Sequence, residues 1–155
     1  ERGESLLERF ERVYGAEHRE TLGARGNHAV TLFRAERVAE SDPLIRDVLE
    51  IQKRVLPEDD PDTLWTEMQV AIHDATAGEI DVAVGSLRRI IDVKNEAGMP
   101  PVEESVNLGI MLRDLGREDE ALQVLGEIRK TAEATIGPDH PTTQMIIDLI
   151  DADPR

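Results

Sequence analysis

The sequence predicts an all-α protein of about eight helices, stacked as antiparallel pairs into a solenoid. Three observations predict it: a short joint that recurs along the chain, apolar residues at helical spacing between the joints, and small residues that keep register from pair to pair. The joint is clearest as Ile136-Gly137-Pro138-Asp139-His140-Pro141-Thr142-Thr143. Counterparts stand at Val13-Tyr14-Gly15-Ala16-Glu17-His18-Arg19-Glu20-Thr21 and Val55-Leu56-Pro57-Glu58-Asp59-Asp60-Pro61-Asp62-Thr63. Each is a poor helix interior and a good connection. A Gly or Pro ends one helix, a His or acidic residue can cap the next, and Pro61 or Pro141 fits a first helical turn.

In chain order, residues 5–14 carry Leu6, Leu7, Phe10, Val13 and Tyr14 on one helical face. Residues 21–35 follow, with Leu22, Ala29, Val30, Leu32 and Phe33 apolar. The third helix, 38–55, contains Pro43 beyond its free first turn, which should cost a hydrogen bond or bend it. Asp60 is an expected N-cap for the helix over 62–77, which Gly78 ends. Helices over 80–96, 102–115, 117–136 and 142–152 complete the series, divided by Gly98-Met99-Pro100-Pro101, Gly116 and the joint at 137–141. No segment alternates as a strand would.

The register follows from three sets of positions. Ala29, Ala71 and Gly109 are small, and 12 residues after them stand Ser41, Ala83 and Ala121. Seven residues further are Val48, Ile90 and Ile128. Small residues at paired sites let two antiparallel backbones approach closely. These positions, with the joints and the run Asn107-Leu108-Gly109-Ile110-Met111-Leu112 leading to Leu115-Gly116-Arg117 and Glu120-Ala121, resemble the tetratricopeptide repeat in its longer, kinesin-light-chain-like form of about 42 residues. The resemblance spans nearly the whole chain. It implies a right-handed superhelix with complete repeats at about 21–60, 61–99 and 100–140, a half repeat over 1–20 and a terminal helix over 141–155. A segment excised from a longer protein is the simplest expectation; a short array with single-helix caps is the alternative, Asp148, Asp151 and Asp153 suiting a polar C-terminal cap. Two departures from the family pattern stand out. Glu36 replaces a turn glycine, and His28 and Asp74 fill sites where the family has apolar core residues.

Composition narrows the function. With 33 acidic against 18 basic residues, the formal charge is -15, a field that repels phosphate backbones and anionic lipid, so neither nucleic acid nor membrane is an expected partner. No cysteine is present, and no apolar run approaches a membrane span; a cytoplasmic setting is the default expectation. His18 and His140 occupy equivalent joint sites, and His28 and His73 lack the spacing of a zinc helix. Glu58-Asp59-Asp60-Pro61-Asp62 lacks the spaced ligands and Gly of a calcium loop, and helix capping accounts for it. Ser5, Ser41, Ser86 and Ser105 lack a neighbouring His and Asp arrangement that suggests a triad. No cofactor and no enzymatic activity are expected.

What the resemblance implies instead is binding of a protein or peptide partner in a groove lined by the first helix of each pair. Asn27, Gln69 and Asn107 match the family position whose amide pairs with a ligand backbone, since an amide supplies both donor and acceptor. Flanking positions are Val30, Phe33 and Arg34 in the first pair and Trp65, Met68 and Ile72 in the second. In the third they are Glu103, Ile110, Arg113 and Asp114. Trp65 is the candidate anchor, with structural packing as its other reading, and Arg34 and Arg113 could clasp a carboxylate. The expected role is a scaffold, sensor or regulatory segment of a larger protein. The alternatives are a structural spacer or self-association segment, and a regulatory domain attached to a signalling ATPase or other enzyme.

Overall fold

The computed structural model describes residues 5–152, and among these are eight α-helices and no strand. They are α1 (Leu6–Tyr14), α2 (Arg19–Arg34), α3 (Val38–Val55), α4 (Pro61–Thr76), α5 (Ile80–Glu96), α6 (Val102–Asp114), α7 (Glu118–Thr135) and α8 (Pro141–Asp151). Boundaries fall within one or two residues of those expected from the sequence. Asp153 of the expected polar cap lies outside the described residues. The chain forms two compact units that divide within α4, one ending at His73 and the other beginning at Asp74.

The connections are of two kinds, each with its own chemistry. Between pairs, a side chain caps the incoming helix at three joints, those before α2, α4 and α8; the connection from α5 to α6 has no side-chain cap and turns through left-handed Gly98 (φ 70°). Nδ1 of His18 accepts from the amide of Glu20, Oδ1 of Asp60 from that of Asp62, and Nδ1 of His140 from that of Thr142. The three caps sit at equivalent joint positions and satisfy donors that the first helical turn leaves orphaned. Within pairs, the chain turns through one left-handed residue: Glu36 (φ 61°), Gly78 (φ 91°) and Gly116 (φ 71°). The next amide then reaches back to the preceding helix, Arg37 to the Leu32 carbonyl at 2.9 Å, Glu79 to Asp74 and Arg117 to Leu112 at 2.8 Å. This is the hydrogen bond that closes a left-handed helix terminus. Glu36 therefore adopts the glycine conformation without being glycine. An Arg–Glu staple repeats just after the turn: Arg37 pairs with Glu40 and Arg117 with Glu120, at 2.7 Å each. Hydrogen bonds from these arginines hold both carboxyls below the usual carboxylate range.

In the first unit, Ala29 of α2, Ile45 and Leu49 of α3 and Val70 of α4 form a core cluster, flanked by Leu44. A polar tie crosses it. The Ser41 hydroxyl donates to the Ala29 carbonyl at 2.7 Å, and Nε2 of His73 lies 3.2 Å from the same oxygen. The ring of His73 also packs on Phe33, centroids 4.4 Å apart. The joint before α4 is clamped by Arg19, whose guanidinium reaches Asp60 at 3.1 Å and Asp62 at 2.6 Å. Helix α1 begins with a reciprocal capping box between Ser5 and Glu8, yet it buries no residue.

In the second unit, Val106 of α6, Leu125, Ile128 and Ala132 of α7 and Ile146 of α8 form the core, with Val102, Leu149 and Ile150 against it. An ion pair of 2.7 Å joins Lys94 of α5 to the buried Glu104 of α6. Helices α6 and α7 meet closely at Gly109: a β-carbon there would stand 2.7 Å from Cγ of Leu125.

Each of the small register positions, Ala29, Ser41, Ala71, Ala83, Gly109 and Ala121, is buried, as are Val48, Ile90 and Ile128. The departures from the repeat pattern resolve individually. His28 is exposed and Asp74 half-buried, so neither is a core side chain. Pro43 sits inside α3, which continues through it on an exposed face where the missing amide donor is cheap.

Three stability outcomes follow. Glu36→Gly should raise the unfolding free energy by about 1 kcal/mol by relieving the left-handed penalty; denaturant titration measures it, and no gain would remove that penalty from the turn. Gly109→Ala should cost about 1–3 kcal/mol by forcing Leu125 aside. Gly85→Ala, on an open face of α5, should instead gain about 1 kcal/mol through helix propensity.

Candidate functional site

The repeat resemblance places amides and apolar groups of a groove on the first helix of each pair. In the first unit, α2 and α4 bring two of those residues to one place. Asn27 and Trp65 line a cleft of about 220 Å³ together with Gly23, Gln52, Asp62 and Thr66. Glycines of α2 make room for it. Gly23 and Gly26 stand one turn apart on the helix, and the Trp65 ring edge comes within 3.1 Å of where a Gly26 β-carbon would be. Trp65 is half-buried, so one edge packs on α2 while the indole walls the cleft. Both readings of this residue, anchor and packing, are compatible with that placement.

The polar groups of the cleft are unevenly satisfied. Asn27 is exposed, and its carboxamide has no partner among the described residues. Gln52 of α3 is only 2% exposed, and its Oε1 has no hydrogen-bond partner among the described residues. The Thr66 hydroxyl donates to the Asp62 carbonyl at 2.9 Å, and the Asp62 carboxylate is held by Arg19. Sequence reasoning missed Gln52, because a Gln on the second helix of a pair carries no signal of its own. Gly26 was equally silent until the indole opposite it was placed.

The remaining groove candidates divide by burial. Val30, Phe33, Gln69 and Ile72 are half-buried and Arg34 is exposed. Met68 is 1% exposed and serves as core. In the second unit, Asn107 is half-buried and Ile110 exposed on α6. Arg113 is engaged: its Nη2 lies 2.7 Å from Glu118 and 3.4 Å from the Ala152 carbonyl, so it ties α6 to the chain around it. A carboxylate ligand would have to displace Glu118 to use it.

One expectation is corrected by the fold. Ser41 does have a His and an Asp beside it: besides the 3.2 Å contact to Nε2, Nδ1 of His73 lies 3.5 Å from Oδ1 of Asp42. The sequence concealed this because His73 stands 32 positions away on another helix. The chemistry is that of a structural tie. Ser41 is fully buried and its hydroxyl proton is committed to the Ala29 carbonyl, so its oxygen can only accept from the imidazole. A nucleophile needs that proton aimed at the base and a path for substrate.

Among the described residues no group of three or more His, Cys, Asp or Glu side chains could hold a metal ion, and no helix is long and apolar enough to cross a membrane. Asp60 and Asp62, members of the acidic run in the second joint, are occupied as helix cap and as partners of Arg19.

A chain of antiparallel helix pairs with repeated turns and repeated caps is a helical-repeat protein. Comparisons with known proteins agree. The profile of the tetratricopeptide repeat matches residues 21–62 and 106–142, half of the chain, and the protein belongs to the tetratricopeptide repeat family. Two crystal structures of kinesin light chain TPR-like repeats from Podosopora anserina, one of them a point variant, share the solenoid fold. The variant has a TM-score of 0.75 and the other 0.73, each at 18% sequence identity, covering 93% of this chain and 70% of theirs. No curated protein matches the sequence. The repeat fold supports a protein-interaction module in general, and the family's repeats are typically non-enzymatic.

Trp65 is the only tryptophan, which makes the cleft directly observable. Gly26→Ala should displace the indole and shift its fluorescence emission to longer wavelength while helicity is retained. An unchanged spectrum would mean that the ring is not seated against α2.

Proposed function

We propose that this protein is a peptide-binding module that presents the first helices of its repeats to an extended segment of a partner, as a scaffold, sensor or regulatory part of a larger protein. The single observation that carries the reading is the cleft in the first unit, where the unpartnered amide of Asn27 stands beside the wall formed by Trp65. An extended peptide backbone offers a donor and an acceptor at each residue, and one carboxamide answers both. The indole supplies a large apolar contact with little conformational entropy to lose. Val30, Phe33, Arg34, Gln69 and Ile72 belong to the same proposed surface of the first unit; in the second unit the corresponding candidates are Asn107, Ile110 and Arg113 on α6.

A second reading has its own observation. Leu6 of α1 is 68% exposed, Val13 and Tyr14 are exposed beside it, and Met145 is exposed on α8. Such apolar groups favour self-association, by which the module would serve as a structural segment.

One experiment separates the two. Affinity capture from lysate should recover a partner with the parent protein, and Asn27→Ala combined with Asn107→Ala should weaken that capture by about tenfold or more while circular dichroism is unchanged. Equal capture by the folded double variant would move the site to another face. Capture of no partner, together with a mass by light scattering that rises with concentration, would favour the self-association reading instead.

A further inference from the structure

The second unit holds a larger recess that the proposed amide surface does not use. It is a trough of about 740 Å³ between α5 and α7, floored by Ser105 and Leu108 of α6 and closed at one end by the Gly98–Pro101 connection. Both walls belong to second helices of their pairs, so the trough lies among residues other than the amide series of α2, α4 and α6. Its walls contribute apolar surface from Ile91, Val124 and Ile128. Between the Arg88 level and the Met99 level the α5 wall and its connection run for about 15–20 Å at the helical rise, room for an extended segment of about five or six residues.

The charges in the trough are what specify an occupant. Arg88 of α5 reaches across to Glu120 of α7 at 2.7 Å, which ties the walls together and neutralises both groups. Arg117 shares the same carboxylate. Two acids remain, Asp92 on α5 and Glu127 on α7. Asp92 has no partner among the described residues. Glu127 accepts only a neutral hydrogen bond, from the Gln123 amide at 3.2 Å. Among the described residues, the one cation lining the trough is thus already spent on Glu120, while a carboxylate on each wall has no counter-charge.

We infer that the α5–α7 trough is a second docking surface, which takes an extended segment of a protein partner carrying a basic side chain between aliphatic ones. The basic group pairs with Asp92 and Glu127, and the aliphatic groups lie on Ile91, Leu108 and Val124. An acidic segment would meet two uncompensated carboxylates, and a wholly apolar one would leave them desolvated without a partner. The inference stands independently of the amide surface, since no residue is common to both.

The net charge of -15 attracts any cationic peptide, so the test has to separate the trough from the general field. The probe is a fluorescein-labelled hexapeptide alternating leucine and arginine, followed by anisotropy at near-physiological salt. Its counterpart with glutamate for arginine should not bind. Asp92→Asn with Glu127→Gln should weaken binding by about tenfold or more. Asp139→Asn with Asp148→Asn, an equal charge change at exposed positions away from the trough, should change it less than about twofold through the screened field alone. Thr131→Trp, which fills the trough, should abolish binding with helicity retained. Equal weakening by the two double variants would overturn the inference in favour of non-specific attraction. Binding unchanged by Asp92→Asn with Glu127→Gln, or retained in a folded Thr131→Trp protein, would overturn it in favour of another face. Failure of the parent to bind the arginine peptide at all would overturn it outright.

Discussion

Close approach of two helix backbones is the constraint on which the rest of this structure depends. In the first unit α2 and α3 come near enough for the Ser41 hydroxyl on one helix to bond the Ala29 carbonyl on the other. In the second, α6 and α7 approach until Leu125 occupies the space a Gly109 side chain would take. Such contacts tolerate only small residues, because an added methyl has no free volume to enter in a packed interior. Once they are fixed, the larger side chains have little choice. Ile45 and Leu49 meet Val70, and Leu125 and Ile128 meet Val106 and Ile146.

Polar ties then decide which of several close-packed arrangements is kept. A buried hydroxyl or carboxylate without a partner costs more than a misplaced methylene, so each tie penalises a slip of register. The Ser41–His73 contact does this across α3 and α4, and Lys94–Glu104 across α5 and α6. The first of these assembles a serine, a histidine and an aspartate in the order familiar from hydrolases. Its burial and the direction of the hydroxyl proton give it a different task. Residue types in proximity define chemistry only when the proton and the substrate have somewhere to go.

What the close-packed pairs leave over is open surface. Glycines on α2 leave a cleft that an indole and an amide share, and the spacing of α5 from α7 leaves a trough floored by Ser105 and Leu108, with Asp92 and Glu127 on its walls. The joints were legible in the sequence because His18, Asp60 and His140 act locally, each on an amide two residues away. The Glu36 turn was legible only through the repeat pattern, which puts a glycine at that position. The cleft was legible only by half. Asn27 and Trp65 could be placed on helices that face alike, whereas Gln52 and Gly26 have no meaning until those helices are set against each other. Met68 shows the opposite error: its position in the repeat pattern suggested a groove residue, and its burial makes it core.

By itself, then, the sequence determined the helices, their caps, their turns and the small residues at which they cross, because each of these follows from interactions within a few residues or from a repeated spacing. Only the tertiary structure decided which polar groups are spent and which are left. Arg113 and Glu118 neutralise each other, Arg88 reaches Glu120 from another helix, and Asp92 is left unpaired among the described residues. The physical reason is that a hydrogen bond or ion pair is set by distances of a few tenths of an ångström between separate helices. Periodicity assigns a residue to a helix face, but it leaves those distances open.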